Sequence, residues 1–354
     1  WGKWCEIRQE SGEKVDTLVL DVGVNIARQE RGMSLELSNR EETLEIELRQ
    51  GAATEEYVYV LPVIFHVLYR VPEDDVPVGY LSSCLERVNE LYRDGPVDMN
   101  LKFVLATHDP NGQLLEEPGV RREFREGLPM DMFDFVGNKF GDCAWIWDPK
   151  EYINVVIFDS KSILSGCAHF PYLPECVVLP GVLFSDWYAD HLPDAHVHCV
   201  AWNRSHMFSR YELLGVIFDY DVFTLAHEMG HYLGLLHPFV DGKGNFGDYC
   251  DDTPDYCVNG YETFLSELDE TFPYSDDNYR KVIQRVALNG RVFIADNIMD
   301  YEFGYLDRFT LEQRKRVRTV LENAWLLPGP KIEVEPWARS GKKAVKPSVP
   351  KPVS

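Results

Sequence analysis

Apolar residues are spaced differently from one segment of the chain to the next, and this spacing predicts the elements. The run Val58–Tyr69 is almost wholly apolar and rich in β-branched and aromatic residues, which predicts a buried central strand interrupted at Pro62. Residues Tyr80–Tyr92 place apolar side chains at helical spacing, and Leu101–Ala106 and Tyr152–Phe158 are predicted to be two more strands. A strand, a helix and two strands in this order predict an α/β layer.

The two ends of the chain differ in composition from this middle part. Residues 1–56 are acidic, with alternating runs at Thr17–Val22 and Thr43–Leu48 that predict strands. We interpret this stretch as an N-terminal extension, either a pro-segment or a small β module. Residues 330–354 are rich in lysine and proline and are predicted to be an extended tail. Residues 57–329 are then left as one large domain.

Two helices are predicted in the second half of the chain. One begins at Asp221, with Asp219 or Asp221 as its N-cap. The other covers residues 310–325, where Thr310 and Gln313 have the spacing of a capping box.

Charge and length limit the classes of function. The 354 residues include 35 basic and 58 acidic side chains, for a formal charge of -23, which argues against a nucleic-acid partner because phosphate contacts need clustered lysine and arginine. No run of eighteen apolar residues occurs, so no membrane span is predicted. The sequence begins at Trp1 and not at Met, so the native N-terminus is expected to be missing, and the loss of a signal peptide or a lipid-anchor cysteine with it stays open.

Cysteines are even in number, which in a protein outside the cytosol predicts disulfides. The close pairs Cys167/Cys176 and Cys250/Cys257 are candidates for short loop staples, whereas buried free thiols are the alternative. The eight cysteines are Cys5, Cys84, Cys143, Cys167, Cys176, Cys199, Cys250 and Cys257.

The segment Thr224–His237 carries the residues with the clearest chemistry. His227 and His231 are four residues apart, just over one helical turn, so their imidazoles lie on one face and can chelate one ion. Glu228 is rotated from His227 by about 100° around the helix, where its carboxylate reaches a metal-bound water instead of the metal.

Gly234 and His237 extend this motif to HExxHxxGxxH. In a continued helix His237 would lie on the wrong face, but a glycine permits the left-handed turn that ends the helix and brings His237 back as a third ligand. Three protein ligands and one open position are typical of catalytic zinc. The alternative, a core helix with satisfied histidines, is disfavoured because burying these polar groups without a metal is costly.

A methionine follows at a position typical of a turn beneath the zinc in metzincin peptidases. In the segment Asn297–Tyr301, Met299 is interpreted as the hydrophobic floor of the site. Tyr301 is interpreted as a hydrogen-bond donor to a developing oxyanion. The alternative is an ordinary buried methionine in a turn.

With these motifs the chain resembles the pappalysin (cytophagalysin) family of metzincins over roughly residues 58–325. Stretches 186–220 and 258–295 are longer than the family pattern and are interpreted as insertions. Further segments similar to the family are Leu61–Tyr69, Met99–Gly119, Tyr152–Phe158, Gly166–Pro171, Gly247–Pro254 and Phe309–Gln313.

The resemblance implies an α/β (α+β) metzincin fold, with a mixed twisted sheet and the active-site helix in an upper subdomain, residues 57–237. An active-site cleft separates it from a smaller irregular lower subdomain, residues 238–329, that holds the Met-turn. The acidic loop at Asp248, Asp252 and Thr253 suggests calcium, because hard cations favour several oxygen ligands from one loop. The resemblance also implies calcium there, and a solvated acidic turn is the alternative.

The predicted function is that of a zinc-dependent metalloendopeptidase, secreted or anchored at the cell surface, which hydrolyses a protein or peptide with Glu228 as general base. Two alternatives stay open: a catalytically silent metzincin-fold binding protein, and a hydrolase of a non-peptide amide.

Residues 159–220 are predicted to be irregular and contain a histidine-rich run. His191, His196, His198 and Cys199 lie close together in sequence. They are interpreted as a polar loop, with a second metal site as the alternative.

Overall fold

The computed structural model describes residues 4–8, 19–38, 42–208, 211–213, 216–218, 220–242, 247–266, 275–301, 303–332 and 346–347. Asp219, one of the two proposed N-caps, and most of the predicted tail lie outside these residues. Within them, no helix has both the length and the apolar character needed to cross a membrane.

Eighteen strands and six α-helices lie in the described chain. The strands are β1 (Cys5–Arg8), β2 (Val19–Val22), β3 (Arg31–Ser38), β4 (Thr43–Gln50), β5 (Tyr59–Tyr69), β6 (Leu101–Leu105), β7 (Val120–Phe124), β8 (Ile153–Phe158), β9 (Gly166–Ala168), β10 (Tyr172–Leu173), β11 (Leu183–Phe184), β12 (Val200–Asn203), β13 (Tyr211–Leu213), β14 (Val216–Phe218), β15 (Phe239–Val240), β16 (Tyr256–Cys257), β17 (Gln284–Val286) and β18 (Val292–Ile294). The helices are α1 (Val78–Arg93), α2 (Met132–Val136), α3 (Tyr220–Tyr232), α4 (Val258–Ser266), α5 (Asp276–Ile283) and α6 (Leu311–Asn323).

A six-stranded sheet forms the centre of the fold. Its strand order is β6-β5-β8-β12-β9, and β7 pairs with β5 beyond the end of β6. All neighbours are parallel except β9, which runs antiparallel to β12. The sheet is therefore mixed, as the family resemblance implies, with the antiparallel strand at one end.

Strand β5 is continuous, so the predicted interruption at Pro62 is wrong. At this residue β5 is paired only with β6, where Pro62 lies opposite Val104. Pairing with β8 on the other side starts one residue later, at Val63. A proline is tolerated here because its missing N–H falls where no neighbouring strand requires a donor.

Both faces of the sheet are covered by helices, which explains the unbroken apolar run of β8. Ile153, Val155 and Ile157 belong to a core shared with α1, α3 and α6. Val156 and Phe158 belong to a second core shared with α2. Parallel strands buried on both faces lose the alternation of polar and apolar residues.

The N-terminal residues form two antiparallel pairs, β1 with β2 and β3 with β4. At the end of this segment Glu56 forms ion pairs with Arg314 and Arg318 of α6. The segment therefore contains β structure and contacts the last helix. Its role as a pro-segment or a separate module stays a prediction.

Helices α3 and α6 are found where the sequence predicts them, but Asp221 is not the N-cap of α3. Thr310 and Gln313 form the predicted capping box at the start of α6. Asp221 lies inside the first turn of α3, where its carboxylate accepts hydrogen bonds from the Phe208 N–H, at 2.8 Å, and from the Tyr80 hydroxyl. It therefore joins α3 to the preceding loop and to α1.

The prediction that residues 159–220 are irregular is wrong in part. Strands β9 and β12 both lie in this stretch and form one end of the central sheet. They have three and four residues, all buried, so they are too short to show a strand period in the sequence.

Disulfides are absent among the eight cysteines, all of which lie in the described part of the chain as free thiols. In the candidate pair Cys167/Cys176 the first thiol is buried and the second is exposed, and the same holds for Cys250/Cys257. The two thiols of each pair therefore lie in different environments, and the predicted staples are not formed.

A hydrogen bond between α1 and α3 provides a test of this packing. The buried Tyr92 hydroxyl donates to the Ala226 carbonyl at 2.9 Å, so Tyr92→Phe is expected to lower the free energy of unfolding by about 0.5–1.5 kcal/mol. Tyr152→Phe is the control, because its hydroxyl bonds the His108 carbonyl at 3.3 Å in an exposed position. Urea denaturation measures both, and equal losses would contradict the assignment.

Candidate metal centre

Helix α3 positions two of the predicted ligands. Apolar residues on the same helix, including Val222, Leu225 and Met229, bury it against the sheet. His227 and His231 follow one another on one face, with ring centroids 4.7 Å apart. Both rings are buried, so the helix presents two imidazoles in a site largely closed to solvent.

Gly234 ends the helix and turns the chain back. Its φ is +88°, a left-handed conformation that side chains disfavour. A Cβ on this glycine would lie 2.7 Å from Cγ2 of Val320. The turn is closed by hydrogen bonds from the Gly234 N–H to the His231 carbonyl and from the Leu235 N–H to the Gly230 carbonyl, both 2.9 Å.

The reversed chain brings His237 to the two helical histidines. Nε2 of His237 lies 3.1 Å from Nε2 of His227 and 3.0 Å from Nε2 of His231. An ion about 2.0–2.1 Å from each nitrogen fits between atoms at this spacing. The predicted ligands therefore converge on one point.

Hydrogen bonds determine which nitrogen faces that point. Nδ1 of His227 donates to the Ile298 carbonyl at 2.9 Å, and Nδ1 of His231 donates to the Leu235 carbonyl at 2.8 Å. A carbonyl only accepts, so Nδ1 carries the proton and Nε2 keeps its lone pair. Burial lowers the pKa of His227 to about 4 and that of His231 well below its usual value, so both rings are neutral. Such a donor set fits a divalent transition metal.

Glu228 is buried beside the histidines, and its Oε2 has no hydrogen-bond partner. Burial raises the pKa of this carboxyl well above its usual range; a neighbouring cation would favour the ionised form. Its side chain fits against β9 only because residue 166 is glycine: a Cβ there would lie 2.7 Å from Cγ of Glu228.

Met299 packs against Gly230 of α3, the residue before His231, and its role as the floor of the site stays a prediction. It is fully buried, and a Cβ on Gly230 of α3 would lie only 2.3 Å from its Sδ. The turn is held by the Met299 N–H, which donates to Oδ1 of Asn297 at 2.9 Å. The same turn supplies the Ile298 carbonyl that orients His227.

A family model described as pregnancy-associated plasma protein-A, for peptidase family M43, matches residues 142–322, more than half of the chain. The chain belongs to peptidase family M43. It is therefore a metalloprotease, and the resemblance to the pappalysins is confirmed.

Curated relatives of this M43 chain are extracellular metalloproteases. One from Verticillium alfalfae is 27% identical over 252 residues, which cover 65% of this chain and 74% of the relative. Another, from Neurospora crassa, is 22% identical over 271 residues, which cover 72% of this chain and 78% of the relative.

Solved structures of mirolysin share the metzincin fold with this M43 chain. Mature mirolysin of Tannerella forsythia, in complex with a cleaved peptide, has a TM-score of 0.50 at 22% identity, covering 75% of this chain and 92% of that chain. Mirolysin in complex with compound 9 has a TM-score of 0.51 with the same identity and coverage. The predicted fold class is thereby confirmed.

Tyr301 is half-buried at the edge of the metal centre. Its ring centroid is 4.5 Å from that of His237 and 5.7 Å from that of His227. Its carbonyl accepts a hydrogen bond of 3.0 Å from Nη2 of Arg285, and its N–H donates to Oδ1 of Asp300 at 2.8 Å. The tyrosine therefore lies beside His237 on a restrained backbone.

The three residues of the acidic loop that are predicted to bind calcium differ in burial and in hydrogen-bond partners. Asp248 is buried, and its Oδ1 accepts from the Thr253 hydroxyl at 2.7 Å and the Cys250 N–H at 3.0 Å. Asp252 is exposed and caps α6, since its Oδ2 accepts from the Glu312 N–H at 3.0 Å. Asp252 and Thr253 also line a cavity that includes Asp296 and Asp300.

Gln313 links this loop to the methionine turn, which sequence reasoning identified only as a helix cap. Its Oε1 accepts from Nδ2 of Asn297 at 2.8 Å, and its Nε2 donates to Oδ1 of Asn297 at 3.0 Å. The same Nε2 lies 3.4 Å from Oδ2 of Asp248. The sequence likewise does not indicate the roles of Gly166, Gly230 and Arg285, because these roles depend on contacts with distant residues.

The turn at Gly234 is tested by comparing two glycines with similar backbones. Gly290 has a φ of +83° but nothing within 4 Å of an added Cβ, so Gly290→Ala is expected to cost only the left-handed conformation, about 1–2 kcal/mol. Gly234→Ala also forces Val320 to move and shifts His237, so it is expected to cost more and to weaken zinc binding. Urea denaturation and zinc titration measure the two effects; equal costs with unchanged zinc affinity would contradict this account.

Proposed function

We propose that this metalloprotease is a zinc-dependent endopeptidase. The observation that carries the proposal is the convergence of three histidines, with Nε2 of His237 3.1 Å from that of His227 and 3.0 Å from that of His231. Beside them on the helix is the buried Glu228, whose Oε2 has no hydrogen-bond partner. Three imidazoles and an open fourth position suit catalytic zinc. When bound, zinc supplies Lewis-acid activation of water and of the scissile carbonyl.

Side chains of the protein then transfer the proton and stabilise the negative charge that develops on the substrate carbonyl. Glu228 takes a proton from the attacking water and passes it to the leaving amine, which a carboxylate in a site closed to bulk solvent does efficiently. Tyr301 donates a hydrogen bond to the oxyanion that develops on the carbonyl. Its position beside His237 supports this role. Met299 keeps the underside of the histidines apolar.

The substrate we propose is a protein or peptide that lies extended beside β9. This strand ends the central sheet, and its Gly166 contacts the side chain of Glu228. An added strand would therefore pass the general base. All three β9 residues are buried, so peptide binding there requires the chain that covers β9 to move aside. Because the curated relatives are named as extracellular proteins, we also propose secretion.

Two alternative functions have less support from the structure. A silent binding protein needs none of the catalytic groups, yet the three histidines converge and Glu228 is buried on the same helix. A hydrolase of non-peptide amides would use the same chemistry, and only substrates distinguish it.

Replacement of the general base tests the catalytic proposal. Glu228→Ala is expected to keep the zinc content of the wild type and to lose about 10²–10⁴-fold in the rate of casein or gelatin cleavage. Glu86→Ala, an exposed change on α1, is the control and is expected to cleave normally. Zinc is measured by mass spectrometry on the same samples.

The outcomes separate the alternatives. Cleavage by Glu228→Ala at the wild-type rate contradicts the assigned base. A zinc-loaded wild type that cleaves neither protein substrates nor small amides, even after removal of residues 1–56, contradicts an enzyme and favours the binding protein. Cleavage of small amides alone favours the amide hydrolase.

Calcium at the acidic loop stays a prediction with its own test. Asp252 and Thr253 line a cavity with Asp296 and Asp300, and burial raises the pKa of both of these latter carboxyls. A hard cation with oxygen ligands would offset their buried charge. Calorimetry with calcium on the zinc-loaded chain is expected to give heat and a raised Tm. Asp252→Asn is expected to weaken both, with exposed Asp277→Asn as control; no heat and no shift in the wild type would remove the site.

A further inference from the structure

A second group of three histidines lies outside the metal centre already described. His169 follows β9, whereas His196 and His198 precede β12, and the fold brings all three together. In the described part of the chain, this triad and the first one are the groups of His, Cys, Asp and Glu close enough to hold a metal ion. In each triad one nitrogen per ring lies within 4.8 Å of the others.

The histidines that come together in the structure are not the same as those that lie close together in the sequence. His191 is exposed and stacks on Trp187, with ring centroids 3.8 Å apart. His169, which is far away in sequence, takes its place, and its ring centroid is 4.4 Å from that of His196 and 5.8 Å from that of His198. Three rings from two segments therefore share one buried site.

The ring nitrogens of this triad lack hydrogen-bond partners although all three rings are buried. The backbone carbonyl of Val136 raises the pKa of His169, and that of Leu326 raises the pKa of His198. Neither carbonyl accepts a hydrogen bond of good geometry from these rings. An ordinary core histidine is better satisfied: Nε2 of His66 bonds Oδ1 of Asn154 at 2.9 Å. Six buried nitrogens without partners demand an explanation, because native structures rarely leave such groups unpaired.

Protonation does not supply that explanation. Burial, together with the other two rings, lowers the pKa of His169 well below its usual value. Burial lowers the pKa of His196 to about 4 and that of His198 well below its usual value. The three rings are therefore neutral, the form in which each nitrogen lone pair is available to a metal.

We propose that His169, His196 and His198 bind a second divalent transition-metal ion, of which zinc is the representative. Neutral imidazoles suit such ions, whereas calcium and magnesium need oxygen ligands. His196 and His198 line a small cleft with Cys143 and Asp148, which provides a path of entry.

The position of the cluster indicates a structural role for this ion. Tyr232, the residue after the catalytic ligand His231, packs its ring against His198 with centroids 5.1 Å apart. His169 extends the strand that contacts Glu228 through Gly166. A metal here would join the edge of the sheet to the back of the catalytic helix.

Counting zinc in matched variants tests the proposal. Each purified chain is saturated with zinc, freed of loosely bound metal by gel filtration, and measured by mass spectrometry. The wild type and His191→Ala are expected to hold two ions per chain, and His196→Ala and His227→Ala one each, since each of these two variants breaks one triad. Zinc is further expected to raise the Tm of His227→Ala.

Each result of the zinc count either supports or excludes the second metal site. One ion in the saturated wild type that His196→Ala retains overturns the proposal, and so do two ions in His196→Ala, because the second metal then lies elsewhere. Should His196→Ala not fold, His227→Ala is sufficient: one retained ion supports the second site and none excludes it. The count does not depend on cleavage, so failure of the endopeptidase proposal leaves this test intact.

Discussion

Two hydrogen bonds from histidine Nδ1 atoms to backbone carbonyls are the interactions on which the rest of the site depends. They place the proton of His227 and His231 on the outer nitrogen and leave the Nε2 lone pairs directed inward. One carbonyl belongs to Leu235, just after the glycine turn, and the other to Ile298, in the methionine turn. The turn that positions His237 and the turn that contains Met299 therefore also orient the rings of His227 and His231.

The close approach of these chain segments explains why glycine occurs at three positions around the site. Gly234 permits the left-handed backbone that ends α3, Gly230 makes room for Met299, and Gly166 makes room for Glu228. Each of these glycines allows two chain segments to approach more closely than a Cβ permits. The site is close-packed against the sheet, the last helix and the methionine turn, and the Gln313 network holds the methionine turn against the acidic loop.

Local patterns in the sequence predict most of the geometry of the candidate site. The spacing of His227, Glu228 and His231 on one helix follows from helical periodicity, and the capping box of α6 follows from Thr310 and Gln313 alone. Sequence reasoning failed where a short element depends on its neighbours. Strand β12 has only four residues, and His169 joins His196 and His198 through sheet pairing that no local pattern encodes. Pro62 was misjudged for the same reason, since its cost depends on which side of β5 is paired.

Anomalous diffraction at the zinc edge, on crystals of the wild-type chain grown with zinc, tests the central claim most directly. We expect an anomalous peak at about 2.0–2.1 Å from Nε2 of His227, His231 and His237, with Nδ1 of the first two still bonded to the Ile298 and Leu235 carbonyls. A chain that contains zinc but shows no peak between these three nitrogens, or shows one bound through Nδ1, would contradict it.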